Sequence, residues 1–290
     1  MSFSTKYRIN KDRILIILGC LAILLTILPF LWLSWDLLSK GLSALDINFF
    51  FDATPNHSQV IYADNFKENV TGGIGNAILG SFYLIFLALL ISFPIGLLTG
   101  IYIYKNKRLK SSGILIASSN LLSGIPSIII GIMAYLWIVD YVHNFQILAG
   151  SFALAIIMIP SFISIPNKQL NNFPAFLEEA YLSLGCPVYK AITMMLSSAG
   201  KPILGIICRV IALNIGKTAP LLFTIVGSSY IEWNIFESTA ALPLTIWNTI
   251  EVLLLSEYMW AASLVLFIIV ITFTLLGRVL SSQKLNDRYS

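Results

Sequence analysis

Apolar residues run along this chain in long blocks instead of alternating or marking one helix face. Six blocks stand out, at about 14–35, 74–104, 113–139, 147–165, 203–227 and 258–280. A helix needs about 20 apolar residues to cross ~30 Å of hydrocarbon. Each block therefore predicts one spanning helix. The first follows Lys6, Arg8, Lys11 and Arg13. Its apolar run is too long for the core of a secretory signal, so it predicts an uncleaved anchor.

The segments between the blocks alternate in charge. Four basic residues precede the first block, and Lys105, Lys107, Arg108 and Lys110 separate the second from the third. Lys168, Lys190 and Lys201 separate the fourth from the fifth, and Arg278, Lys284 and Arg288 lie at the C-terminal end. Those fourteen fall on one side of a six-span arrangement; only Lys40 and Lys67 fall on the other. Basic residues mark the cytoplasmic side. The pattern predicts both termini in the cytoplasm. It divides the chain into a cytoplasmic segment 1–13, an anchor 14–35, a periplasmic segment 36–72, a core 73–280 and a tail 281–290. Trp35, Leu38, Leu42 and Leu45 recur at helical spacing and predict an interfacial amphipathic helix after the anchor.

Composition sharpens the class. Hydrophobic residues make up 57% of the 290 positions and charged residues 11%, against about 25% charged in a soluble domain. Mean hydropathy is +0.85. These values exclude a soluble enzyme, a disordered chain and a nucleic-acid-binding domain. The fold class is an all-α membrane protein with six transmembrane helices and the lipid bilayer as its surroundings. Cys20, Cys186 and Cys208 form no CxxC pair, and His57 and His143 stand apart from each other and from any acidic cluster. That spacing predicts neither a metal site nor a nucleophile–base pair. Gly72, Gly73, Gly75 and Gly80 resemble a phosphate-binding loop only loosely. No Gly-Lys-Ser/Thr follows, so no nucleotide site is predicted in this chain.

The segment 171–197 between the fourth and fifth blocks carries the clearest signal. Pro174 suits a first helical turn. Phe176, Leu177, Ala180, Tyr181 and Leu184 share one helix face. Gly185 is placed to cap the C-terminus, and Pro187 stops continuation. A second helical run follows from Val188. A short amphipathic helix, a glycine turn and a further helix are predicted in the cytoplasm, either lying on the membrane surface or docking on a partner.

The residues Glu179-Ala180-x₄-Gly185 resemble the EAA loop of bacterial ATP-binding cassette (ABC) importer permeases. Gly72-Gly73-Ile74-x-Asn76-Ala77-Ile78, Ser123-Gly124-Ile125-Pro126-Ser127-Ile128-x₂-Gly131, Leu154 to Pro160, Ile215-Gly216-x-Thr218-Ala219-Pro220-Leu221-Leu222-Phe223 and Ala241-Leu242-Pro243-Leu244 are similar to the PstA-type phosphate branch. The resemblance covers about residues 12–282. It implies the fold of type I ABC importer permeases (MetI-like), with Glu179, Ala180 and Gly185 at the contact with an ATPase. It also implies a second, PstC-like permease, two PstB-like ATPase subunits that bind the ATP, and a periplasmic PstS-like phosphate-binding protein. No cofactor is implied in this chain. Three features depart from the family pattern. Leu213 and Lys217 stand where an arginine and a glutamate are common. Ser164 to Lys168 replaces a charged run, and Ser197 replaces a proline. A permease for another oxyanion, such as molybdate or sulfate, and a non-transporting scaffold or phosphate-signalling subunit are the alternative functions.

Lys217 is the candidate pathway residue. A charge at mid-membrane depth costs at least ~2.5–3.5 kcal/mol and usually faces a cavity or a partner. Fourteen residues into its block, Lys217 lies about 21 Å along a helix. It either faces the pathway, as an anion contact or paired with a partner's acid, or reaches the non-cytoplasmic interface. Arg209, nearer the cytoplasmic end, can snorkel. Asn214 and Thr218 are polar neighbours of Lys217. Pro126 and Ser127 interrupt the third block, as a packing kink or as a bend lining a pathway.

Overall fold

The computed structural model describes residues 3–43, 45–54, 72–170, 175–198, 200–225, 227–228, 230, 232–250 and 256–281, and no strand occurs among them. Its helices are α1 (Phe3–Ser43), α2 (Gly75–Lys105), α3 (Lys110–Gly124), α4 (Ser127–Ala134), α5 (Ile147–Leu170), α6 (Ala175–Ser183), α7 (Val188–Ser198), α8 (Gly200–Asn214), α9 (Ala219–Thr224), α10 (Leu242–Thr249) and α11 (Ser256–Ser281). A π-helical turn, Tyr135–Val139, prolongs α4. Pro174, Asn171 and Asn172 of the EAA segment, His57 and the tail lie outside the described residues.

Among the described residues, four helices are long and apolar enough to cross a membrane: α1, α2, α5 and α11. Two bent pairs bring the number to six if each is one span: α3 with α4, and α7 with α8. The chain is a multi-pass membrane protein. Its third block is broken where the sequence predicts. Ile125 and Pro126 are both extended, with ψ of 128° and 134°, because proline disfavours the helical region for the residue before it. The axes on either side meet at 98°.

Two predicted elements take a different form. The anchor does not stop near Trp35. No helix-stopping residue follows it, and the segment expected as a separate interfacial helix continues α1 as far as Ser43. Lys40 supports this last stretch by pairing with Asp36 at 3.5 Å and lying 4.7 Å over the Trp260 ring. The fifth block is not one continuous helix. α8 ends at Asn214, residues 215–218 form a turn, and α9 restarts with Pro220 in its first turn.

The centre of the molecule is the packing of α2 on α5. Gly96 and Gly100 face Phe162, Ile163 and Pro166 so closely that a Cβ at either would clash. Phe93 and Phe162 meet edge to face at 5.5 Å. Val210 of α8, Leu221 of α9 and Leu244 of α10 complete this core. Lipid is as apolar as leucine, so such contacts cohere through close packing and not through removal from water. The outermost element is α1, which touches α11 near its C-terminal end and has no buried residue in its apolar stretch.

Candidate functional site

The two breaks are linked by the helices that follow them. α4 and α9 are the helices that restart after them, and they pack together. A Cβ on Gly131 would lie 2.7 Å from the Pro220 Cα. Bulk at position 131 would therefore separate them. On the far side of α9, a Cβ on Gly150 would meet the Ile225 and Leu221 side chains, and the Gln146 N–H donates to the Thr224 carbonyl at 3.1 Å. α9 is thus clamped between α4 and the start of α5.

Just before α9 lies the turn 215–218. The Asn214 Nδ2 donates to the Val210 carbonyl at 2.7 Å. Its Oδ1 is buried without a hydrogen-bond partner among the described residues. The Lys217 N–H donates to the Asn214 carbonyl at 3.1 Å. The Lys217 side chain is half-buried and makes no ion pair or hydrogen bond with a described residue. Thr218 is half-buried, and its carbonyl accepts from the Leu221 and Leu222 N–H groups, which starts α9. Asn214, Lys217 and Thr218 therefore share one break. Pro126 is exposed at the corner of the other break, with Ser127 half-buried as the first residue of α4. These two are brought toward the first group only through the Gly131–Pro220 contact.

α8 runs 15 residues from its start to Asn214, about 22 Å at 1.5 Å per residue. That is shorter than the ~30 Å of a hydrocarbon layer, so a span continued from α8 into α9 carries the break within its length. Irregular backbone at that depth is tolerated where it is buried in protein or lines a water-filled cavity.

Glu179, Ala180 and Gly185 sit apart from this group, at the basic end. Gly185 has φ +77°. Its N–H donates to the Leu182 carbonyl at 3.0 Å, and the Cys186 N–H donates to the Tyr181 carbonyl at 3.1 Å. That bond pair is the glycine-capped helix end the sequence predicts. The shared apolar face divides. Tyr181 packs into a small cluster with Leu170, Ile192 and Met195. Phe176, Ala180 and Leu184 stay exposed beside an exposed Glu179. Leu184 is 83% exposed.

No family model matches the chain. Curated relatives match it over nearly its whole length. The phosphate transport system permease protein PstA of Xylella fastidiosa (strain Temecula1) is 33% identical over 298 aligned positions, 97% of each chain. PstA of Pasteurella multocida (strain Pm70) is 31% identical over 286, covering 94% of this chain and 95% of the relative. The chain belongs to the PstA family of phosphate transport system permeases. A more distant member, PstA 1 of Mycobacterium tuberculosis (strain H37Rv), is 27% identical over 256 residues, 86% and 80% of the two chains.

Within this PstA-family fold, two of the sequence blocks that carry the resemblance become one structural unit. Ser123 to Gly131 and Thr218 to Phe223 are 87 positions apart at their nearest ends, yet they supply the two helices that touch. Gly131 stands in the sequence only as the last residue of a family-like block, and its role depends on what it faces. One residue of this region was not singled out in the sequence: Gln146, 1% exposed with its Nε2 unpartnered among the described residues. A lone glutamine next to an apolar block was its only signal.

Proposed function

We propose that this chain is the PstA-type permease of an ATP-driven importer of inorganic phosphate. It forms half of the pathway beside a second, PstC-like permease. It couples to two PstB-like ATPase subunits, which bind the ATP, through α6, and it receives phosphate from a periplasmic PstS-like protein. The carrying observation is the near-full-length likeness to proteins named phosphate transport system permease PstA. The geometry supports it at both ends. The outward-facing Phe176 and Leu184, next to Glu179, give α6 an uncovered apolar surface at the basic end, suited to a groove on a partner. Lys217, at a helix break within the membrane, gives an anion a cationic contact with no competing acid among the described residues.

In this reading the basic end is cytoplasmic and holds both termini, and the membrane is the bacterial inner membrane. ATP-driven movement of the partner subunits is transmitted through α6 and α7, which share a hydrophobic cluster with α5, and so reaches the pathway helices. A complex assembled with the PstC-like and PstB-like subunits in lipid nanodiscs tests the assignment. Phosphate-loaded binding protein should stimulate its ATP hydrolysis, and sulfate or molybdate should not. Stimulation by another oxyanion alone would overturn the phosphate assignment. Assembly without any stimulation would favour a non-transporting scaffold.

A further inference from the structure

The chain has six tryptophans, at positions 32, 35, 137, 233, 247 and 260. They are spread over four separate parts of the sequence, yet the fold gathers them at one end. Lys40, one turn beyond Asp36 on α1, lies over the Trp260 ring at the start of α11. The Tyr83 hydroxyl on α2 donates to the Trp233 carbonyl at 2.9 Å. The Trp137 ring lies 6.3 Å from Phe152, near the start of α5. Trp247 is on α10, which is tied to α2 by the Leu242 N–H donating to Ser81 Oγ at 2.7 Å. This is the end opposite the basic residues. Tyrosines, by contrast, occur at both ends: Tyr102, Tyr104, Tyr181 and Tyr189 at the basic one, Tyr141, Tyr230 and Tyr258 at the other.

Five of the six rings face outward, with exposures from 53% to 72%. Their positions along the chain also agree. Trp35 immediately precedes Asp36, Trp137 precedes Asp140 by three residues, and Trp260 follows Glu257 by three. Each marks where an apolar span meets its first acid. An indole is apolar over most of its area and carries one N–H donor, so it is most stable at the level of lipid headgroups.

We propose that these tryptophans form a one-sided anchoring belt in the headgroup region of a single leaflet, at the end opposite the basic residues. The occupant of this surface is lipid. Three span ends carry a belt residue at the same apolar–acidic boundary, which fixes the depth of the bundle from one side. The basic residues hold the other side.

The intact chain tests this without substitution, because all its tryptophans are at one end. The full chain is reconstituted in phosphatidylcholine vesicles brominated either near the headgroup or near the chain ends. Shallow bromine should quench tryptophan fluorescence roughly twofold or more over deep bromine, as expected for rings about 15 Å from the bilayer centre. Equal or stronger quenching by deep bromine would overturn the proposal, as would absence of lipid quenching. Variants that retain only Trp32 or only Trp137, the others changed to Phe, should each show the same shallow preference. Co-reconstitution with a second permease should leave that quenching in place; its loss would make the surface a subunit interface and would also overturn the belt.

Discussion

Lys217 stands out in the sequence because a charge inside an apolar block costs at least ~2.5–3.5 kcal/mol. The structure adds that it sits in a helix break, half-buried and unpaired with any described residue. The proposed pathway contact predicts that Lys217→Gln lowers phosphate uptake roughly ten- to hundredfold, the loss of a charged hydrogen bond of about 1.5–3 kcal/mol. Assembly with partner subunits should be unchanged, and Lys217→Arg should retain more uptake than Lys217→Gln. Unchanged uptake in Lys217→Gln, followed with labelled phosphate in vesicles, would remove Lys217 from the mechanism. Gly131 was not legible in the same way. A glycine among isoleucines states that the position is small but not what it touches, and the Pro220 backbone is what it touches. Gly131→Ala should therefore cost about 1–3 kcal/mol by overpacking. A lower midpoint of thermal unfolding in detergent would register that cost.

Breaks are the elements the sequence announces best, since proline acts locally. The 98° bend follows Gly124 and Pro126 directly. Gly185 and Pro187 end α6 as their residue types dictate. Continuity is harder to read. Nothing between Trp35 and Lys40 stops a helix, and the helical spacing of Trp35, Leu38, Leu42 and Leu45, which predicts a separate interfacial helix, fits the continuation of α1 equally well. The fifth block shows the converse, because an apolar run of spanning length hides the turn at 215–218. Gly185 carries an element-scale prediction. At φ +77° an alanine is strained by about 1 kcal/mol. Gly185→Ala has open space for its methyl, so its effect should be on the angle between α6 and α7 and not on packing. Partner ATP hydrolysis should then uncouple from uptake while the complex still forms. Leu184→Glu, on the exposed apolar face, should weaken co-purification of the ATPase and leave the second permease bound. Retention of the ATPase at wild-type yield would show that α6 is not its docking element.

The whole molecule is organised by sidedness. Fourteen basic residues lie on one side of the predicted six-span arrangement, and six tryptophans lie at the opposite end of the fold. Fold class and family were legible because they rest on block lengths and on motifs that span most of the chain. The meeting of α4 with α9 was not, because it joins segments far apart in sequence, and the motifs that contain Gly131 and Pro220 do not state what either residue touches. A reporter fused at either terminus should read as cytoplasmic, and a reporter at 45–54 as outside; any other parity would require a different number of crossings. The most direct measurement is ATP-dependent uptake of labelled phosphate into vesicles holding this chain with its PstC-like, PstB-like and PstS-like partners, with sulfate and molybdate as competitors. Uptake that needs ATP, saturates with phosphate and ignores the competitors is the predicted result. An assembled complex that takes up no phosphate, or whose uptake another oxyanion displaces, would contradict it.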